Sequence, residues 1–182
     1  SESNSAAQAA KDVDVMRGVE GSNVSATTKI QWTDRTWNPT RGCSVISPGC
    51  HNCYAMKQAH RFSGQGKPYE GLTKQTKAGP QWTGKVATVR ERLLDPLKWR
   101  TSCRVFVNSM SDLFYGNLSN ADIDRVFAVM ALAPQHRFQV LTKRADRMRS
   151  YSNDASARYT IHSKSIHSAC AEAWYLRPDG PP

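Results

Sequence analysis

The sequence predicts an α/β fold, and three consecutive segments in its central part support this. Residues 104–108 (RVFVN) form a short apolar run typical of a buried strand. Residues 121–133 carry apolar side chains at helical spacing after Asn120, a favourable N-cap residue. Residues 138–142 (FQVLT) form a second buried-type strand. A strand, a helix and a strand at this spacing are typical of a crossover between parallel strands.

Length and composition restrict the classes of protein to consider. The chain has 182 residues, enough for one domain but fewer than the roughly 250 of a complete eight-stranded β/α barrel. Its 25 Lys and Arg against 15 Asp and Glu give a net charge of +10, which favours polyanionic partners. The sequence shows neither an apolar run of membrane-spanning length nor a secretory signal, so we expect a cytoplasmic protein without membrane association.

Shifts in composition divide the chain into three parts. Residues 1–26 are rich in Ser, Ala, Asn and Gly and lack aromatic side chains, which indicates a flexible leader. Residues 27–151 hold the strands and helices of the predicted α/β domain. Residues 152–182 have short apolar runs, many serines and a proline-rich end, so we expect a divergent, partly disordered tail with one helix at 168–175.

The elements before residue 104 are predicted in the same way. Residues 29–37 suggest a short strand that ends before Asn38-Pro39, and residues 54–62 suggest a short helix. Residues 63–85 contain five of the eleven glycines, which predicts a long surface loop. Residues 89–99 have apolar positions at helical spacing, with Pro96 close to the end of the predicted helix.

Three cysteines lie close together with the spacing C-x6-C-x2-C. Cys43, Cys50 and Cys53 can occupy three corners of a metal ion or cluster, because the segment Ser-Pro-Gly before Cys50 favours a turn. An iron–sulfur cluster with one iron left open fits three thiolates without an obvious fourth ligand. A zinc ion with His51 or His60 as fourth ligand and a set of reduced, buried cysteines are the alternatives.

Polar side chains follow the two predicted parallel strands at their carboxyl ends, where α/β folds place their ligands. Their hydroxyl, amide, carboxylate and ammonium groups can bind ribose, amino, carboxylate or phosphate groups. An aromatic side chain directly after the third cysteine can lie against a nucleobase or the cluster. The candidate ligand-binding residues are therefore Tyr54, Asn108, Ser109, Asp112, Thr142 and Lys143. For Arg144, Arg147 and Arg149 a solvated basic patch is the favoured interpretation.

Two other sets of sequence features bear on function. Lys67, Lys74, Lys77 and Lys85 lie among aromatic residues, a mixture that suits single-stranded nucleic acid or a nucleotide. The P-loop, the G-x-G-x-x-G dinucleotide motif, H-E-x-x-H and G-x-S-x-G are all missing from the sequence, which argues against the common NTPase, dehydrogenase, zinc protease and hydrolase classes.

Three segments together resemble a known family. Residues 28–55 (TKIQWTDRTWNPTRGCSVISPGCHNCYA), 104–114 (RVFVNSMSDLF) and 138–148 (FQVLTKRADRM) resemble, in the same order, the radical S-adenosylmethionine-like proteins of phage and prophage origin, a family related in pattern to spore photoproduct lyase. The resemblance implies a partial TIM-type β/α barrel. Because residues 152–182 do not look like the family's continuation, the barrel is expected to be truncated at its C-terminus.

The resemblance also implies a cofactor and a chemistry. Cys43, Cys50 and Cys53 would each ligate one iron of a [4Fe-4S] cluster, and the fourth iron would bind S-adenosylmethionine, which is cleaved after reduction by an unidentified electron donor. We expect a nucleic-acid-related substrate, and a partner protein or second copy of the chain that covers the open sheet edge. The alternative is a zinc- or nucleic-acid-binding module without catalytic activity.

Overall fold

The computed structural model describes residues 28–157 and residue 171. The predicted leader (1–26) and the predicted helix at 168–175, except for Ala171, which is helical, lie outside the described residues. Short 3-10 turns occur at Pro48–Cys50 and Asp95–Lys98. The strands and helices are β1 (Arg35–Trp37), β2 (Thr40–Arg41), α1 (Tyr54–Arg61), β3 (Thr73–Thr76), β4 (Gly79–Trp82), β5 (Ala87–Thr88), α2 (Arg90–Leu93), β6 (Arg104–Val107), α3 (Asn120–Leu132), β7 (Arg137–Val140) and α4 (Ala145–Ala157).

A three-stranded parallel sheet forms the centre of the fold, in the order β1-β6-β7. Val107 of β6 lies opposite Trp37 on one side and Val140 on the other, so the three strands end at one edge. The crossover predicted for residues 104–142 is thereby confirmed, since β6 and β7 are adjacent and parallel with α3 between them in the chain. The sheet is small and open in the described part, and the incomplete barrel stays a prediction.

The main apolar core joins this sheet to α3. Val105 and Val107 on β6 are fully buried together with Ile123, Val126 and Val129 on α3. Burial of each such side chain stabilises the fold by about 1.5–3 kcal/mol.

Helix α3 begins one residue earlier than predicted. Ser119, not Asn120, is the N-cap: its backbone is extended, and its hydroxyl oxygen accepts a hydrogen bond from the backbone N–H of Asp122. Asn120 is the first helical residue. Ser119 takes the N-cap position because its hydroxyl accepts a hydrogen bond from a backbone N–H that has no partner within the helix.

A second, smaller layer contains α1 and the antiparallel hairpin β3-β4, which pack together around Ala55, Met56, Ala59, Leu72 and Trp82. The prediction of a long surface loop over residues 63–85 was therefore wrong for residues 73–82, which form the hairpin. The hairpin has little strand propensity of its own, because Gly79 and Pro80 lie in β4. It is held by the apolar contacts with α1.

The helix predicted at 89–99 is interrupted. It consists of α2 followed by the 3-10 turn Asp95–Lys98, because Pro96 has no backbone N–H to continue an α-helix. The basic segment after β7 is helical: α4 begins at Ala145 and runs past residue 151 to Ala157. No helix among the described residues is long and apolar enough to cross a membrane.

Candidate functional site

A cleft of about 250 Å³ lies at the carboxyl edge of the sheet, between β6, β7 and the loop that carries the cysteines. The isolated parallel bridge between Gly42 and Ser111 fixes the start of this loop beside the end of β6. All nine residues proposed from the sequence line the cleft: Cys43, Cys50, Cys53, Tyr54, Asn108, Ser109, Asp112, Thr142 and Lys143. Phe106, Trp82, Met110 and Leu141 supply an apolar wall.

The three thiols share this cleft. Among residues 28–157 and 171, no three His, Cys, Asp or Glu side chains form a group suited to a single metal ion. A mononuclear zinc site needs every sulfur at about 2.3 Å from one ion. A cubane cluster accepts each thiolate at a different iron and needs no common point. Three cysteine thiolates are donors of the kind that an iron–sulfur cluster takes.

Cys50 lies in a setting that favours its thiolate. Its Sγ is 3.6 Å from the Ser47 hydroxyl and 3.6 Å from the Lys143 ammonium. Burial raises the pKa of this thiol, but hydrogen bonding to the backbone at Ile46, the Ser47 hydroxyl and the charge of Lys143 outweigh burial and lower the pKa to about 7. Thiolate is the form of cysteine that binds metals.

Cys43 is more enclosed than Cys50. Burial raises the pKa of its thiol, and the positive charge of Arg144 opposes that rise. Arg144 Nη1 lies 3.7 Å from Cys43 Sγ. Each of these two cysteines therefore has a cation from the β7–α4 junction beside its sulfur.

Asp112 is the centre of a hydrogen-bond network between the ends of β6 and β7. Its carboxylate accepts hydrogen bonds from Thr142 Oγ1 at 2.7 Å, the Lys143 backbone N–H at 3.2 Å and the Phe114 backbone N–H at 3.0 Å. Arg144 Nη1 donates at 2.8 Å to the same carboxylate. With Asp112 only 6% exposed, this charge is buried and fully hydrogen-bonded.

Arg144 also lines the cleft, although a solvated basic patch was predicted for it. Its side chain is only 11% exposed, so the solvated basic patch expected there was wrong for this arginine. The sequence signal that points to it is its place directly after Lys143 at the end of a parallel strand.

Asn108 has an unusual backbone and an incomplete set of hydrogen bonds. It has φ of 59°, the left-handed region that non-glycine residues seldom adopt, and it is 2% exposed. Its Oδ1 accepts a 3.4 Å hydrogen bond from the Thr40 backbone N–H, and its buried Nδ2 has no partner in the described part of the chain. Strained, incompletely bonded residues of this kind occur often at functional sites.

Tyr54 stands at the mouth of the cleft. It is 55% exposed, so it is not part of the apolar core. Its hydroxyl donates a 2.8 Å hydrogen bond to the backbone oxygen of Ser109, so the ring is held across the cleft from the cysteine loop toward β6.

Fold and site define an α/β protein with a three-cysteine cleft at the carboxyl edge of a parallel sheet. Residues 27–175 match the family model described as "Protein of unknown function (DUF5131)", and the chain belongs to this family. The match extends beyond residue 151, into the segment predicted to be a tail. No curated protein and no solved structure matches the chain significantly.

Proposed function

We propose that the protein is a radical S-adenosylmethionine-like iron–sulfur protein that binds a [4Fe-4S] cluster through Cys43, Cys50 and Cys53. One observation carries the proposal: the three cysteines line a single cleft, and cations lie beside two of their sulfurs. Three thiolates give such a cluster a net negative charge that grows on reduction. The cations of Lys143 and Arg144 stabilise that charge in the half-buried site.

The zinc alternative has less support. Neither His51 nor His60 lines the cleft, and His60 Nδ1 lies 3.1 Å from Thr73 Oγ1 and 3.4 Å from Ser63 Oγ. A structural zinc site with protein ligands needs a fourth one in addition to the cysteines. Both candidate histidines lie outside the cleft, and His60 contacts other side chains.

The rest of the cleft suits an adenosyl ligand. When bound, a cluster of this type supplies the electron that cleaves S-adenosylmethionine reductively. Phe106 and Trp82 offer an apolar surface for an adenine ring, and Tyr54 covers the mouth. Ser109 lies at the polar edge, where a hydroxyl can bind ribose or carboxylate groups, and Asn108 lines the cleft beside it.

The positive charge of the chain supports a nucleic-acid-related substrate. Residues 41–90, which include the cysteine loop, α1 and the hairpin, contain eight Lys or Arg and a single acidic residue, Glu70. Lys57, Lys74 and Lys77 are exposed and form no ion pair among the described residues. Such an excess of cations beside the cleft favours phosphate groups.

Anaerobic reconstitution with iron and sulfide tests the cofactor. We expect about four irons per chain and the visible absorption of iron–thiolate clusters in the parent protein, and loss of both in Cys50→Ala. Cys103→Ala is the matched control, because Cys103 Sγ lies outside the cleft, 3.5 Å from His136 Nδ1. Zinc in place of iron, or a Cys50→Ala variant that binds iron like the parent, would contradict the proposal.

Two further assays test the activity and the substrate. The reduced, reconstituted protein is expected to release 5′-deoxyadenosine from S-adenosylmethionine. Without reductant, we expect no release. Fluorescent single-stranded oligonucleotides are expected to bind with an affinity that falls steeply as salt rises. The double variant Lys74→Gln/Lys77→Gln should bind more weakly, whereas Arg149→Gln, with its charge on α4, should bind like the parent. Binding that does not depend on salt, or equal binding by all variants, contradicts a phosphate contact at the hairpin.

A further inference from the structure

Two consecutive cations at the β7–α4 junction contact opposite ends of the cysteine loop. Lys143 Nζ donates a 3.0 Å hydrogen bond to the backbone oxygen of Gly49, directly before Cys50. Arg144 Nη2 donates to the backbone oxygen and the hydroxyl of Ser44, directly after Cys43, at 3.2 and 3.0 Å. Each cation lies within 3.7 Å of the sulfur at its own end of the loop. One dipeptide thus spans the six residues between the two cysteines.

The orientation of Arg144 is fixed from three sides. Its Nη1 lies 2.8 Å from the buried Asp112 carboxylate, its guanidinium carbon lies 4.7 Å from the centre of the Tyr115 ring, and its Nη2 reaches Ser44. A planar guanidinium with these partners has one favourable orientation. An unpaired guanidinium would be costly in this largely buried place, so Asp112 is required to keep it there.

We propose that Lys143 and Arg144 form a two-cation clamp on the loop 43–50, and that Asp112 is the positioning residue that sets the clamp. The clamp holds Cys43 and Cys50 at a constant separation before any metal is bound. Its second effect rests on the proposed function: the two cations slow the loss of an anionic iron–sulfur cluster from the thiolates. Lys143 and Arg144 already donate hydrogen bonds to Gly49 and Ser44 of the loop. They therefore have few N–H donors left for a ligand's carboxylate or phosphate.

Lys143 and Arg144 contribute unequally to the clamp. Lys143 is exposed and reaches the loop through one flexible ammonium, whereas Arg144 is largely buried and forms hydrogen bonds in two directions. Water competes with exposed contacts far more than with buried ones. The Arg144 end is therefore expected to be the more rigid end of the loop.

Hydrogen exchange of the metal-free protein, measured by mass spectrometry, tests the clamp without any cofactor. In Arg144→Gln the amides next to Cys43 are expected to exchange about tenfold faster, because one charged hydrogen-bond contact is lost. Asp112→Asn is expected to act at the same end. Lys143→Gln should act at the other end, on the amides around Cys50. Arg149→Gln, which removes an exposed charge from α4, is the control and should match the parent.

Unchanged exchange over residues 43–50 in Arg144→Gln and Lys143→Gln would overturn the clamp. If Arg144→Gln does not fold, Arg144→Lys replaces it: lysine keeps the charge but cannot reach Asp112 and Ser44 together, so faster exchange near Cys43 is again expected. Exchange near Cys43 at the parent rate in Arg144→Lys also overturns it.

Iron release to a chelator is the second readout on the reconstituted protein. Arg144→Gln and Lys143→Gln are expected to lose iron several-fold faster than the parent and Arg149→Gln. Equal release rates overturn the effect on the cluster. A parent protein that takes up no iron refutes the proposed function instead, and the exchange measurement on the metal-free chain still decides whether the clamp exists.

Discussion

Tyr151 Oη donates a 2.6 Å hydrogen bond to Asp124 Oδ1, which links α4 to α3 inside the protein. Both side chains are buried. Burial raises the pKa of the tyrosine, and the neighbouring carboxylate raises it further, so the phenol keeps its proton and remains a donor throughout the neutral range. This contact secures α4, and α4 begins directly after the two cations of the clamp.

The first prediction concerns this hydrogen bond. Tyr151→Phe removes the hydroxyl and keeps the ring, so a buried carboxylate loses a donor. The free energy of unfolding should fall by about 1–3 kcal/mol. Urea unfolding measures the change. Tyr54→Phe is the matched control, since the Tyr54 hydroxyl is exposed, and its effect should stay within about 0.5 kcal/mol. A Tyr151→Phe variant as stable as the parent would show that Asp124 does not depend on this donor.

The second prediction concerns Gly42, the residue before Cys43. Its φ is +93°, and a Cβ there would lie 2.2 Å from the backbone oxygen of Lys85. Gly42→Ala should therefore destabilise the protein by more than the roughly 1–2 kcal/mol of a left-handed backbone alone, and it should displace the cysteine loop. Urea unfolding gives the free energy.

Gly66→Ala separates the cost of a left-handed backbone from the cost of the clash with Lys85. Gly66 has φ of +70°, and a Cβ added there would meet nothing within 4 Å, so alanine at this position carries the backbone cost without the clash. We expect Gly66→Ala to be clearly the more stable of the two variants. Equal loss of stability in both would mean that the contact with Lys85 relaxes freely.

That the proposed residues share one cleft was predictable from the sequence for one physical reason. Parallel strands end at one edge, so polar residues after β6 and after β7 must lie close together, as Asp112 and Thr142 do. The partner of Arg144 was not predictable, because the carboxylate lies 32 residues earlier in the chain. The same spacing pattern fits a solvated arginine equally well.

Other elements could not be predicted from the sequence, because tertiary contacts stabilise them. Helix α4 has a polar sequence without a clear apolar stripe, and it is anchored by Tyr151 and by Arg147, whose guanidinium donates to the backbone oxygens of Tyr115 and Leu118. The hairpin β3-β4 depends in the same way on apolar contacts with α1. The periodicity of the local sequence shows neither the hydrogen bonds that anchor α4 nor the apolar contacts that hold the hairpin.

The third prediction isolates backbone strain at Asn108. Both Asn108→Ala and Asn108→Gly remove the side-chain amide, with its weak contact to Thr40 and its unpartnered Nδ2. Only glycine adopts φ near 59° without a steric penalty. Asn108→Gly should therefore be more stable than Asn108→Ala by about 1 kcal/mol in urea unfolding. Equal stability of the two variants would show that the backbone moves out of the left-handed region once the asparagine is gone.

The last prediction concerns acid stability and the exposed pair of Asp34 and Arg104. Arg104 donates through Nη2 at 2.8 Å and through its backbone N–H at 2.7 Å to the Asp34 carboxylate. The side-chain hydrogen bond from Arg104, followed by that from its backbone, lowers the pKa of Asp34 from 3.8 to about 2. Because the pKa is lower in the folded state, the pair stabilises the protein above about pH 4, and this contribution is lost as the pH falls toward about 2.

Urea unfolding of the parent and of Asp34→Asn over this range measures the effect. The parent should have the higher midpoint at neutral pH, and the difference should begin to shrink below about pH 4 because the parent's aspartate then takes up a proton on unfolding. Arg104→Gln removes the guanidinium but keeps the backbone N–H donor, so it should lose only part of this pH dependence. A midpoint difference that stays constant from pH 7 down to the acid transition would mean that the ion pair between Asp34 and Arg104 contributes nothing to the pH dependence of folding.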